Sequence, residues 1–175
     1  MPVTVKTPLA ELNAMDEQGF VSVCGPLFEH SPWIAARTWK RRPFPTLEAL
    51  HGELVATVQQ ATRQEQLGLI GAHPDLVGRL AREGKLSRSS TAEQAAAGLN
   101  RLTPQEIGLF EKHNREYREK FDLPFIICAR ENRKEAILAA FPVRLAHTRE
   151  QEIAEALSEI GKIARLRLLD AVTED

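Results

Sequence analysis

The sequence predicts an all-α protein, a single-domain bundle of about eight helices over residues 1–175 with one short extended segment near residues 124–129. Helix start signals recur along the chain. Most are a hydroxyl or acidic residue followed by proline, or by glutamate or glutamine three residues later. Between these signals, apolar residues recur at steps of three and four, the spacing of a buried helical stripe. The length of 175 residues suits one domain, and we find no internal repeat, low-complexity linker or convincing pair of strands.

The first three predicted helices are short. They start at Thr7-Pro8, at Asp16 and at Ser31-Pro32, and they end near residues 15, 23 and 42. Thr46 begins a longer helix, because the residues after it repeat at helical spacing. The buried stripe of this fourth helix consists of Leu47, Leu50, Leu54 and Val58.

The middle of the chain carries two predicted capping boxes. Thr62 to Glu65 begins a helix that Gly71 is placed to end, and Ser90 to Glu93 begins another. Between them we expect a short helix from Asp75 to Glu83, followed by a loop over residues 84–89.

The last third of the chain is predicted to hold three helices and the extended segment. A capping box at Thr103 to Glu106 starts a helix that ends near residue 121. The apolar, β-prone run FDLPFIICA then follows a proline, which favours an extended backbone. Residues 133–145 return to helix, and Thr148 to Gln151 caps a long helix to about residue 172.

The composition excludes several classes of protein. The chain has 23 Lys and Arg against 24 Asp and Glu, so it lacks the positive field of a nucleic-acid-binding protein. The basic cluster at residues 37–42 is interpreted as a solvated helix face. Cys24 and Cys128 form no CxxC pair, so neither a thiolate metal site nor a disulfide framework is indicated. An acidic N-terminus and the lack of a long apolar run predict a soluble, cytosolic protein.

Among the five histidines, His73 is the candidate for chemistry. None of the five lies in HExxH or another compact metal-ligand pattern, so the sequence does not predict a metal site. In GAHPDL, His73 lies between a flexible Gly71 and a restricting Pro74 at the predicted end of a helix. The spacing is equally consistent with a histidine that only caps the preceding helix through its dipole.

The segment from Ser90 to Gln94 is a second candidate. Unaided, S-x-x-E at a helix start is best explained as a capping box that satisfies backbone amides. The same helix N-terminus can also hold an anionic or carbonyl-rich ligand, with Glu93 as an acceptor and Gln94 as a donor.

Arg167 is the third candidate. It continues an apolar stripe of the last helix at four, three, four and three residue steps, after Ile153, Leu157, Ile160 and Ala164. A guanidinium on a buried face needs a partner, so Arg167 has either an internal acid or a ligand carboxylate, and the side chain can also snorkel to solvent. Arg165 lies off the stripe and is expected to be solvated.

Six segments, taken in chain order, are similar to one family. They are FEHSPW (28–33), RPF (42–44), LGLIGAHPDL (67–76), S-x-x-EQ…AGL (90–99), PFIICARENRK (124–134) and EIGKIARLRL (159–168). The chain resembles the 2-oxo-4-hydroxy-4-carboxy-5-ureidoimidazoline (OHCU) decarboxylase family, the last enzyme of the route from urate to (S)-allantoin. GxHPDL followed by S-x-x-EQ is a specific combination, and the likeness covers nearly the whole chain.

The resemblance implies a catalytic trio of His73, Glu93 and Arg167. It also implies a substrate pocket lined by further residues, which are Pro74, Ser90, Thr91, Ala92, Gln94, Phe125, Ile126, Ile127, Cys128 and Ala129. It further implies an all-α enzyme that uses no metal or organic cofactor, a cytoplasmic location and a homodimer. The alternative function is a non-catalytic helical module that binds a small ureide or a protein partner.

Overall fold

The computed structural model describes residues 4–78 and 84–175, and these residues are mainly helical. They group into two compact units: an N-terminal unit of residues 1–72 and 161–175, and a central unit of residues 73–160. In the described ranges there are nine α-helices, two short 3₁₀ helices and one two-stranded sheet. The all-α prediction is confirmed, and the single-domain organisation stays a prediction.

The N-terminal unit contains the first five helices. Their bounds are α1 Leu9–Ala14, α2 Glu17–Cys24, α3 Trp33–Trp39, α4 Leu47–Gln60 and α5 Arg63–Gly71, with a 3₁₀ helix at Gly25–Leu27. Packing of α2 on α3 and of α3 on α4 builds its core. The fully buried side chains of this core include Leu12, Phe20, Ile34, Leu50 and Leu54. The stripe predicted for the fourth helix is confirmed, since all four of its residues are buried.

The central unit contains the helices around the predicted site. Their bounds are α6 Arg88–Ala96, α7 Pro104–Phe121 and α8 Lys134–Leu145, with a 3₁₀ helix at Ala129–Glu131. The last helix, α9 Arg149–Ala171, starts in this unit and ends in the N-terminal one. Five buried aromatic rings form the core of the central unit: Phe110, Tyr117, Phe121, Phe125 and Phe141. Residues 124–128 are not helical, as predicted.

Most of the predicted helix starts are confirmed by hydrogen bonds. At α5 and α7, the hydroxyls of Thr62 and Thr103 each accept from the backbone amide three residues on. The side chain of the glutamate at that position accepts in turn from the backbone amide of the threonine. Thr148 and Gln151 make the same reciprocal pair at the start of α9, at 3.2 and 2.8 Å. These caps satisfy amides that a helix N-terminus otherwise leaves without partners.

Three predicted boundaries are wrong. Thr7-Pro8 does not open α1 but forms a two-residue parallel strand with Val172-Thr173. A strand of two residues has no alternating pattern that a sequence could display. In addition, α3 ends at Trp39, three residues before the predicted end. The short helix predicted from Asp75 is also wrong over residues 75–78, which form a turn, while residues 79–83 lie outside the described residues.

Candidate active site

His73 lies on a turn that three side chains of the central unit hold in place. The histidine is buried, with 8% of its surface exposed. Two of the holding contacts come from α7. Asn114 donates from Nδ2 to the Leu76 carbonyl at 2.8 Å, and Arg118 binds both carboxylate oxygens of Asp75 at 3.0 to 3.2 Å. The motif HPDL is therefore fixed through its last two residues, which limits the motion of the histidine before them.

The third contact comes from α6 and stabilises a strained residue. The Val77 amide donates to Oε1 of Gln94 at 3.2 Å, and Val77 has a φ of 55°. Left-handed backbone is unfavourable for a β-branched side chain and costs about 1–3 kcal/mol. At Gly78, a Cβ would lie 2.8 Å from the Asp75 Cβ, so this turn also requires glycine. Strain of this kind persists where surrounding contacts over-determine it, and it is common at functional sites.

The start of α6 differs from the prediction. Ser87 is the N-cap, and it accepts from the Ser90 amide at 3.1 Å, so the predicted capping box from Ser90 to Glu93 is wrong. The sequence S-R-S-S offers several hydroxyls, and the first one is used. Ser90 and Gln94 are buried, one helical turn apart on one face, with 6% and 7% of their surfaces exposed. Ser90 is therefore not the N-cap of this helix, and its burial is not explained by capping.

The other residues of this segment have different environments. Glu93 is half-buried, whereas the side chains of Thr91 and Ala92 are exposed. The buried and half-buried members, Ser90, Glu93 and Gln94, are the ones whose side chains are protected from bulk water. The predicted pocket residues 90–94 thus include both protected and exposed side chains.

The predicted lining segment, residues 125–129, is buried throughout. Helix α6 packs against the 3₁₀ helix Ala129–Glu131, which begins at the last residue of this segment. The helix of Ser90 and Gln94 therefore lies next to the end of the segment. Burial raises the pKa of the Cys128 thiol, and the negative charges of Glu131, Glu159 and Glu93 act in the same direction. The thiol therefore stays protonated and acts as a small apolar side chain rather than as a nucleophile.

Arg167 belongs to the N-terminal unit, where it pairs with a buried acid. Its Nη2 lies 2.9 Å from Oε1 of Glu29, and its Nη1 donates to the Pro26 carbonyl at 3.3 Å. Both charged side chains are about 95% buried, whereas Arg165 is exposed. The periodicity prediction for these two arginines is confirmed, and of the partners left open the internal acid is present. The role of Arg167 towards substrate stays a prediction.

The sequence analysis missed Glu29 and a charged network in the central unit. Glu29 precedes His30, which has a φ of 48°, so a strained turn presents the acid. In the central unit, the fully buried Glu152 of α9 accepts from Tyr117, Arg144 and His147. No local pattern connects Arg167 to Glu29, 138 residues away, or Tyr117 to Glu152, 35 residues away. The position of an ionisable residue on a buried face is nevertheless a usable signal.

A cavity of about 370 Å³ lies beside α6 in the central unit. Val77, Thr91 and Gln94 line it together with mainly apolar residues. His73, Glu93 and residues 125–129 are not among the described residues that line this cavity. We therefore do not assign this cavity as the reaction site.

Two further features concern metals and membranes. Across residues 4–78 and 84–175, no group of three or more His, Cys, Asp or Glu side chains is arranged to hold a metal ion. In the same ranges, every helix is too short or too polar to span a lipid bilayer.

Comparison with known proteins shows one family. A family model described as OHCU decarboxylase matches residues 13–169. The chain is 40% identical over 158 residues to the 2-oxo-4-hydroxy-4-carboxy-5-ureidoimidazoline decarboxylase of Halalkalicoccus jeotgali, covering 90% of this chain and 88% of that protein. It is 37% identical over 162 residues to the protein of the same name from Mus musculus, covering 93% and 91%.

Longer relatives and solved structures agree. The chain is 42% identical to the uric acid degradation bifunctional protein of Bacillus subtilis, of which it covers 32%. The crystal structure of an (S)-allantoin synthase superposes with a TM-score of 0.76 at 28% identity, over 95% of this chain and 54% of that one. An OHCU decarboxylase crystallised in the presence of (S)-allantoin has the same fold, with a TM-score of 0.67 at 21% identity over 88% and 96% of the two chains.

Proposed function

Because the chain belongs to the OHCU decarboxylase family, we propose that it is a carboxy-lyase that converts 2-oxo-4-hydroxy-4-carboxy-5-ureidoimidazoline to (S)-allantoin, the last step of urate degradation. The observation that carries this proposal is the family match over residues 13–169, which includes each of the site motifs. The burial of His73, Ser90 and Gln94 in one compact unit supports it, because these polar side chains are otherwise costly to bury.

The substrate explains which kinds of residue the reaction needs. Its carboxylate and hydroxyl share one saturated ring carbon, next to an imine that is conjugated with a carbonyl of the ring, so the ring itself accepts the electrons left when carbon dioxide departs. The protein must orient the carboxylate out of the ring plane, support the electron-rich intermediate and deliver a proton to one face. Facial delivery of that proton determines that the product is the (S) enantiomer.

We assign His73 as the general acid that delivers the proton, because imidazole changes protonation near neutral pH. Its burial and the fixed HPDL turn support a defined direction of delivery. Glu93 holds either His73 or the substrate hydroxyl, and Arg167 holds the anionic or carbonyl end of the substrate. The pairing of Arg167 with Glu29 compensates the charge of the guanidinium in its buried position.

The remaining pocket residues bind the ureido group in this proposal. Ser90 and Gln94 contribute side chains, and Pro74 with residues 125–129 contributes apolar surface and backbone. The side chains of Thr91 and Ala92 are exposed, so their contribution is restricted to the backbone of α6. No step of this scheme calls for a metal or an organic cofactor.

Three further proposals concern the whole molecule. We propose that residues 1–175 function as a single catalytic domain, because the family match extends across both compact units. The resemblance also supports a homodimer and a cytoplasmic location. Light scattering of the purified protein measures the mass and so tests the dimer.

The test of the activity is a coupled reaction followed by circular dichroism. Urate is converted by the two preceding enzymes in the presence of the purified protein, and the optical signal of allantoin is recorded. We expect fast formation of (S)-allantoin, whereas the uncatalysed reaction is slow and gives a racemate. A rate and optical signal equal to those of the protein-free control would contradict the proposal. A thermal shift with allantoin but no turnover would instead support the non-catalytic binding module.

A further inference from the structure

The proposed substrate segment is tied to a buried charge network in the central unit. Glu152 on α9 is fully buried and accepts three hydrogen bonds. They come from the Tyr117 hydroxyl at 2.5 Å, from Nε of Arg144 at 2.8 Å and from Nδ1 of His147 at 2.8 Å. Burial alone would raise the pKa of this carboxyl, but hydrogen bonds from Arg144, Tyr117 and His147 outweigh burial and lower it. Glu152 is therefore a carboxylate at neutral pH.

The arginine of this network reaches the lining segment. Arg144 uses Nε to bind Glu152, and its Nη1 donates to the backbone carbonyl of Ile126. The same guanidinium lies 4.3 Å from the centre of the Phe125 ring. Because a guanidinium is planar and rigid, fixing one of its edges on a carboxylate fixes the direction of its other donors. The peptide between Ile126 and Ile127 is thus held in one orientation.

Other contacts restrain the segment on both sides of this point. Phe125 stacks on Phe141 with ring centres 3.9 Å apart. Asn132 donates from Nδ2 to the Cys128 carbonyl at 2.9 Å, which fixes the end of the segment. Between these two anchors, Arg144 contacts the Ile126 carbonyl, and the Cys128 amide donates to Oε1 of Glu159 at 3.4 Å. Removing Arg144 would leave the Ile126 carbonyl, which is buried, without that donor.

We propose that Arg144, held by Glu152, is a positioning residue for the decarboxylation, which fixes the Ile126 peptide and with it the substrate-binding segment 125–129. The inference rests on the proposed function, because it assumes that this segment binds the substrate. Arg144 acts through the backbone and does not touch the reacting atoms. A buried ion pair adds little to stability compared with apolar residues of the same volume, so positioning gives a reason for its presence here.

The test compares kinetic constants of three variants with those of the wild-type enzyme. Arg144→Lys keeps the charge but loses the planar fork, so it cannot hold both Glu152 and the Ile126 carbonyl. We expect a rise in KM of about tenfold or more, because the substrate must then order a looser binding segment, and a smaller fall in kcat, because the reacting groups themselves are unchanged. Tyr117→Phe removes only one of the bonds to Glu152 and should raise KM about threefold.

Arg149→Lys is the control for the same substitution at an exposed arginine. Arg149 also donates from Nε to a backbone carbonyl, that of Phe121, at 2.9 Å, but this carbonyl lies outside residues 125–129. We expect its KM and kcat to equal those of the wild type. A KM effect as large in Arg149→Lys as in Arg144→Lys would show that the effect does not depend on the contact with Ile126 and would overturn the proposal.

Amide hydrogen exchange gives a readout that does not depend on turnover. In Arg144→Lys, the amides of residues 126–128 should exchange faster, while those of the α7 interior stay protected. If Arg144→Lys does not fold, KM and amide exchange of Tyr117→Phe test the proposal instead. Wild-type KM and unchanged exchange in the folded variants would overturn the positioning role alone. A wild-type protein without decarboxylase activity would overturn the proposed function, and the positioning role with it.

Discussion

The pair formed by Glu29 and Arg167 gives a quantitative test of the electrostatics inside the N-terminal unit. The two charged groups lie 2.9 Å apart, and only 5% and 6% of their side-chain surfaces are exposed. In Glu29→Ala the guanidinium stays buried without its carboxylate. In Glu29→Gln an oxygen acceptor and the shape are kept, and only the negative charge is removed.

The expected magnitudes follow from the burial. Removing one partner of a buried ion pair costs about 3–5 kcal/mol of the free energy of unfolding. For Glu29→Gln we expect a smaller loss of about 1–2 kcal/mol, because the hydrogen bond to Arg167 is kept but its acceptor is no longer a carboxylate. An exposed pair provides the matched control. Arg41 and Glu53 are also 2.9 Å apart, but 38% and 43% of their surfaces are exposed. Glu53→Ala should therefore cost less than about 1 kcal/mol.

The assay is urea unfolding followed by far-ultraviolet circular dichroism. With a slope of about 2 kcal/mol per molar urea, Glu29→Ala should lower the midpoint by about 1.5–2.5 M, and Glu53→Ala by less than about 0.5 M. The slope itself should stay constant if only the native state is affected. A midpoint for Glu29→Ala equal to that of Glu53→Ala would refute the reasoning, because it would mean that Arg167 is solvated and not held by Glu29.

Two further predictions concern the central unit. Gln94→Leu removes the acceptor for the buried Val77 amide, so it should lower the free energy of unfolding by about 1–3 kcal/mol. As the control, Gln59→Leu at an exposed position should change the free energy of unfolding by less than about 0.5 kcal/mol. Equal losses in the two urea titrations would contradict the anchoring of the His73 turn. The pKa of Glu152 is lowered from an unfolded value of 4.5, so its contribution to stability is present above pH 4.5 and is lost as the pH falls through the folded pKa. Between about pH 5 and pH 3, Glu152→Gln should therefore lose less stability than the wild type, and parallel losses would argue against the carboxylate network.

The amphipathic patterns and caps of this chain could be predicted because they are local. Arg167 is an example, since a step of three or four residues from Ala164 places it on the buried face of α9 irrespective of the rest of the fold. The boxes at Thr62 and Thr103 were likewise predictable, because donor and acceptor lie three residues apart.

Other features depend on contacts that are distant in sequence. The turn at Val77 exists because Gln94 and Asn114 bind its backbone, and local propensity favoured a helix instead. Ser87 and Ser90 are chemically equivalent caps, so the sequence could not choose between them. Glu29 lies 138 residues from its partner Arg167 in the sequence, and Glu152 lies 35 residues from its partner Tyr117. Only the fold brings each pair together.

The proposed decarboxylation depends most directly on His73. In the coupled urate assay, wild-type protein and His73→Asn are compared by circular dichroism at the wavelength of allantoin, after both are shown to unfold in the same cooperative transition. Loss of a positioned general acid should reduce the rate by about 100-fold or more and return the product to a racemate. Formation of (S)-allantoin by His73→Asn at the wild-type rate would contradict the role of His73 as the general acid.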